Sequence, residues 1–243
     1  MRKPVKSDLA DAFYKDVENT NPSGERMRIL DGGWLLHYIC WPHNTYHEVL
    51  EQYSSYLAHQ FSQCIVVFDG YPELTTKDHE HQRRKSDRLP AATIELNLSR
   101  HRYKDQKAIF FNIANKVGFI ATVTDHLQAN GHIVKQAQAD ADTLIVSTAL
   151  DFAKNQQAVE VVTNDTDILV MLLYHWQDDM ANIFIHKVTG GAKRQLAGTS
   201  TIHSIQDVSA KVDPVIKNNV LFIHAWSGCY RTSSTFGHSK TSC

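Results

Sequence analysis

With 243 residues, 42% of them hydrophobic, the chain can bury a substantial core and reads as one large domain. A formal net charge of −1 excludes a globally basic nucleic-acid binder, so such a partner has to be held by a local patch. No apolar stretch approaches the roughly 18 residues that cross a bilayer, and the polar start up to Phe13 lacks a signal-peptide core, so a nuclear or cytoplasmic protein without membrane contact is expected.

Residues 1–26 are polar and end in the turn-forming Asn21-Pro22-Ser23-Gly24, which reads as an N-terminal extension ahead of a domain over 27–243. The pattern then predicts a strand over 27–30, a helix over 46–61, a strand over 64–68 and a charged helical stretch over 75–88. One long helix is expected over 105–130, stopped by Gly131. A short strand over 132–135, a helix over 140–155, a β-branched strand over 158–163 and a helix over 167–174 follow. A strand over 183–187 and a helical run over 212–226, with a boundary at Pro214, complete the series. Strands alternating with helices imply the α/β class: three α/β/α layers around a mostly parallel central sheet. Ligands of such sheets bind at the carboxyl ends of the strands, and Asp31, Asp69 and Asp165 each follow a strand, which puts them at one edge.

The cysteines Cys40, Cys64, Cys229 and Cys243 have no paired spacing and read as free thiols of a reducing compartment. The histidines His37, His43, His47, His79 and His81 lack zinc-ligand spacing. The aspartates are different. Asp140-Ala-Asp142 opens a helix, and Asp165-Thr-Asp167 stands between a buried strand and a helix, where capping needs only one of the two carboxylates. Singly, each acid has an ordinary structural reading: turn residue, N-cap or helix-dipole complement. A phosphatase-like reading of Val-Val-Phe-Asp69-Gly lacks its second aspartate two residues on. Taken together, Asp31, Asp69, Asp140, Asp142, Asp165 and Asp167 are costly unless hard cations or protons neutralise them. Oxygen ligands of this kind suit one or two Mg²⁺ or Mn²⁺ ions, and two such ions about 4 Å apart stabilise both oxygens of a phosphodiester displacement.

The segment from Lys77 to Lys107 supplies the local basic patch. Nine lysines and arginines, among them Lys77, Arg83, Arg84, Lys85 and Arg88, stand against five acids, a surplus of four positive charges. A solvated mixed-charge face is the plain reading of such a run. Its start eight residues after Asp69 favours a grip on phosphates.

The ordered motifs resemble the flap-endonuclease (XPG-type) branch of the PIN-like nuclease superfamily over roughly residues 27–240. Ile-Leu-Asp31-Gly and Val-Val-Phe-Asp69-Gly-Tyr-Pro are similar to its first two acidic motifs, Gln138-Ala-Asp140-Ala-Asp142 to the acidic pair of its central helix, and Thr163-Asn164-Asp165-Thr166-Asp167 to the next pair. The resemblance implies a metal-dependent nuclease acting on DNA or RNA, with Lys77, Arg83 and Arg84 on a basic arch steering the phosphate. It also implies a last Gly-Cys-Asp motif, where this chain reads Gly228-Cys229-Tyr230-Arg231. A phenol is neutral at pH 7 and a poor ligand for Mg²⁺, so one anionic ligand is lost. A helical duplex-binding segment is implied after this motif, and the sequence stops at Cys243, so a domain truncated at its C-terminal end is expected. Two readings stay open: a nuclease, and a catalytically impaired nucleic-acid-binding or interaction module that keeps the fold.

Overall fold

The computed structural model describes residues 7–15, 17–41, 45–61, 63–71, 92–94, 106–188 and 200–226. In chain order these form α1 (Ser7–Tyr14), β1 (Met27–Asp31), α2 (Gly32–Tyr38), α3 (Tyr46–Phe61), β2 (Cys64–Phe68), α4 (Gln106–Phe111) and α5 (Ile113–Ala129). There follow β3 (Ile133–Gln136), α6 (Ala141–Lys154), β4 (Val159–Val162), α7 (Thr166–His175), β5 (Ile183–Val188), β6 (Ser200–Ser204), α8 (Ile205–Lys211) and α9 (Pro214–Trp226). The strands form a six-stranded sheet of order β3-β2-β1-β4-β5-β6. The pairs β1–β4, β4–β5 and β2–β3 are parallel and β5–β6 is antiparallel, in keeping with the mostly parallel α/β expectation. The chain divides into two compact units, residues 1–31, 142–189 and 199–243 in the first and 32–141 and 190–198 in the second.

In the first unit Leu30 lies opposite Val162, Val162 opposite His186, and Val188 opposite Ser200. All four residues of β4 are buried, the pattern of a parallel strand covered on both faces. The segment expected as a polar extension is helical over Ser7–Tyr14. Its Leu9, with Val17 beyond it, packs into a cluster with Val170, Leu173, Val208 and Val220. The Thr20 N–H donates to the Ile202 carbonyl at 2.8 Å, and the Ile202 N–H donates to Asn19 Oδ1 at 2.7 Å, so this segment occupies the outer side of β6. Both β6 and α8 follow from no signal read in the sequence; β6 is Ser-Thr-Ile-His-Ser, too polar to read as a strand.

The second unit pairs β2 with β3, Phe68 opposite Gln136. An aromatic core fills it: Trp41 contacts Tyr46, Phe110 and Phe119 by its ring. The Trp41 Nε1–H donates to Tyr53 Oη at 3.1 Å, and the Tyr53 hydroxyl donates to the Leu36 carbonyl at 3.0 Å, so both buried polar atoms are satisfied. The single helix expected over 105–130 is two, broken at Asn112. Asn112 has extended φ/ψ and its side chain accepts from the Asn115 N–H, so capping interrupts the apolar run. Gly131 ends α5 at φ +84°, a conformation that favours glycine. The glycines after the two strand-end aspartates answer to close packing. A Cβ on Gly32 would sit 2.3 Å from the Phe68 ring, and one on Gly70 would sit 2.0 Å from the Ala137 carbonyl oxygen.

Candidate metal centre

The first unit assembles its carboxylates from the end of β4. Thr163, one residue past the strand, donates its hydroxyl hydrogen to Asp31 Oδ2 at 3.0 Å and accepts the Asp165 N–H at 3.1 Å. Asp31 closes the neighbouring parallel strand, so Thr163 links two strand ends. Asp165 is the N-cap of α7, its Oδ1 accepting the Asp167 N–H at 2.8 Å. That capping accounts for one carboxylate of the pair; Asp167 stands in the first turn of the same helix. Asp142 stands in the first turn of α6.

One carboxylate oxygen from each of Asp142, Asp165 and Asp167 lies within 4.8 Å of the others, and all three side chains are half-buried. Like charges so close cost about 1 kcal/mol per pair even at the dielectric of bulk water. A donor set of carboxylate oxygens matches a hard divalent cation such as Mg²⁺ or Mn²⁺ better than a soft one. The sequence pattern did not flag the partner of Asp167. His224, buried on α9, places Nε2 2.5 Å from Asp167 Oδ1. Its only sequence signal is a polar residue four after Val220 on the buried stripe of an apolar helix.

Elsewhere in the first unit a different carboxylate is held by cations. Glu160, 2% exposed on β4, pairs with the Arg26 guanidinium, lies 3.4 Å from Arg28 Nε, and lies 2.7 Å from His186 Nδ1. His186 Nε2 in turn meets Ser200 Oγ at 2.5 Å. Burial by itself pushes the Glu160 carboxyl up, yet the hydrogen bonds from His186 and Arg26 and their charges outweigh it and hold the group at about 2.

In the second unit Asp69 follows β2. Its Oδ1 accepts the Ala141 N–H at 3.1 Å, and Lys116 Nζ lies 4.0 Å from its Oδ2 and 5.2 Å from the centre of the Tyr71 ring. Lys116 is a neighbour that the sequence reading did not single out. Of the six candidate aspartates, Asp142, Asp165 and Asp167 are thus gathered and Asp31 is tied to them through Thr163, while Asp69 and Asp140 belong to the second unit. Lys77, Arg83, Arg84, Lys85 and Arg88 lie outside the described residues, as do Tyr230 and Arg231.

No protein-family model matches the chain, and no curated protein does. Solved structures do. The catalytic core of Rad2 in complex with a DNA substrate aligns at TM-score 0.51 and 14% identity over 95% of this chain and 64% of that one. Human GEN1 in complex with Holliday junction DNA aligns at TM-score 0.57 and 13% identity over 96% of this chain and 53% of that one. The chain therefore has the three-layer α/β/α, PIN-like fold of the flap endonucleases, at low sequence identity. It spans between about half and two thirds of the length of these two chains.

Proposed function

We propose that the chain hydrolyses phosphodiester bonds in DNA or RNA with one or two Mg²⁺ or Mn²⁺ ions, as a nuclease of the flap-endonuclease kind. The observation that carries this reading is the meeting of Asp142, Asp165 and Asp167 within 4.8 Å on a PIN-like fold. These three would hold a cation, with Asp31 oriented by Thr163 beside them. For Asp69 and Asp140 the role rests on the sequence resemblance alone, as does phosphate binding by Lys77, Arg83, Arg84, Lys85 and Arg88. A bound divalent cation would supply electrostatic stabilisation of the charge that grows on the phosphate oxygens. The chain's own part is to fix the acids: the N-cap geometry locks Asp165, the Thr163 hydroxyl locks Asp31, and His224 locks Asp167. Nucleic acid as substrate is supported by the DNA that Rad2 and human GEN1 hold in their structures.

The test is Mg²⁺- or Mn²⁺-dependent cleavage of single-stranded, flapped and duplex substrates by the chain and by its Asp165→Asn/Asp167→Asn variant. A loss of about 100-fold or more in the variant supports the nuclease. A second reading draws on Tyr230, which stands where the resemblance places an aspartate. Salt-sensitive binding without cleavage in the unaltered chain would favour that reading, a module that binds nucleic acid without turning it over.

A further inference from the structure

Where α1 meets β6, at the end of the sheet, two buried polar atoms have no hydrogen-bond partner among the described residues: Tyr14 Oη and His203 Nδ1. Buried polar atoms are nearly always satisfied, so a pair of exceptions side by side needs a physical account. The two rings stack, with centroids 4.1 Å apart, and Lys187 Nζ of β5 lies 4.5 Å from the centre of the Tyr14 ring. His203 is 8% exposed and bonds the backbone of Glu18; because Nδ1 has no partner, that bond runs from the Nε2–H to the Glu18 carbonyl. The neighbouring residues complete the joint, Thr20 N–H donating to the Ile202 carbonyl and Ile202 N–H to Asn19 Oδ1. His203 is thus the buried centre of the contact between the N-terminal segment and β6.

This setting suits the ring only while it is neutral. A proton on Nδ1 would create an N–H without an acceptor and a positive charge near that of Lys187. Burial first, and then the Lys187 charge, hold the imidazole below its ordinary value of 6.5 and outweigh the Glu18 bond, which favours the charged form. The remaining charged group at the joint is Asp11 of α1, which acts on Lys187 and on Tyr14; the Tyr14 hydroxyl, pushed up chiefly by burial, stays protonated at neutral pH. We infer that the segment from α1 to Thr20 is a pH-sensitive latch on the outer edge of β6, closed while His203 is neutral and loosened when it takes up a proton. A histidine held below its ordinary value when docked binds its proton more readily once the segment lifts off. Docking is therefore complete above 6.5 and weakens as pH falls below it. With an ordinary histidine in the lifted segment, a drop from pH 7.5 to 5.5 raises the open fraction by at most about 10-fold. Opening uncovers the β6 edge and draws Leu9 and Val17 away from Val170 and Leu173 of α7.

The experiment is amide hydrogen exchange of the full chain at pH 7.5 and 5.5, each rate divided by that of an unstructured amide at the same pH. Thr20 and Ile202 report the joint, and the amides of β4 report unfolding of the unit. A latch opens more readily than the unit unfolds, so Thr20 and Ile202 should exchange well ahead of β4 at both pH values. Their normalised rates should rise on acidification by more than about 2-fold and at most about 10-fold. His203→Gln retains an N–H donor for the Glu18 carbonyl and cannot take up a proton, so the rise should fall below about 2-fold. Lys187→Met removes the cation that opposes protonation and should shrink the rise without abolishing it. Exchange of Thr20 and Ile202 at the rate of β4, no rise in the unaltered chain, or a rise that persists in His203→Gln overturns the latch. Should His203→Gln fail to fold by circular dichroism, Lys187→Met decides: an undiminished rise overturns the inference. A His203 imidazole that titrates by NMR at 6.5 or above in the folded chain overturns it as well.

Discussion

Glu160 and the trio of Asp142, Asp165 and Asp167 are carboxylate sites of the same compact unit, built on opposite electrostatic plans. Around Glu160 the fold brings Arg26, just ahead of β1, and Arg28 and His186 on strands, so a buried anion meets two guanidinium groups and an imidazole and is satisfied within the chain. The trio brings anion to anion within 4.8 Å, half-buried, at the ends of elements rather than in their middles. One arrangement is closed, with its hydrogen bonds spent on the fold. The other gathers three acids, and the metal site proposed above rests on that gathering.

Mutation should act on the two sites in different ways. Glu160→Ala removes the common partner of two guanidinium groups and an imidazole, and is expected to lower unfolding free energy by about 3–5 kcal/mol in urea titrations. Acid should reproduce part of that loss. The Glu160 carboxyl titrates lower in the folded chain than in the unfolded one, so its contribution is complete above its ordinary value of 4.5 and disappears as pH falls towards about 2. The loss across that window is about 3 kcal/mol, and Glu160→Gln should abolish it while leaving the remaining pH dependence in place. The smallest effect is the sharpest discriminator. The variant that bears on the trio is Asp142→Asn, which takes away one of its three carboxylates. Thermal unfolding with and without Mn²⁺ should show the same variant losing the stabilisation by metal that the unaltered chain displays. If Asp142→Asn keeps the full stabilisation by Mn²⁺, the trio is a structural cluster like that of Glu160.

The α/β plan was legible because it rests on local pattern. The buried β-branched β4, the helix over 46–61 and the strand over 64–68 stand where the sequence placed them. The place of Asp165 and Asp167 at a strand-to-helix junction was legible too, from a buried apolar run that leads into two acids. Asn112 misled because an N-cap inside an apolar run leaves the periodicity almost undisturbed. β6 was missed because a polar strand carries no alternation, and it is held instead by pairing with β5 and by Asn19 and Thr20. His224 and Lys116 were missed for a different reason. Each acquires its meaning from a carboxylate 57 or 47 positions away in sequence, and such a partnership exists only after folding.

The contacts of Asn19 and Thr20 with Ile202 have a practical corollary for anyone preparing this protein in a shortened form. Starting at Met27, the domain boundary that the sequence suggests, would strip these residues from β6 and leave its outer amides and carbonyls open to recruitment by another molecule's strand. The same cut would remove Leu9 and Val17 from their packing against Val170 and Leu173. Aggregation of such a recombinant fragment would then report the missing cover and not an inability of the remaining sequence to fold.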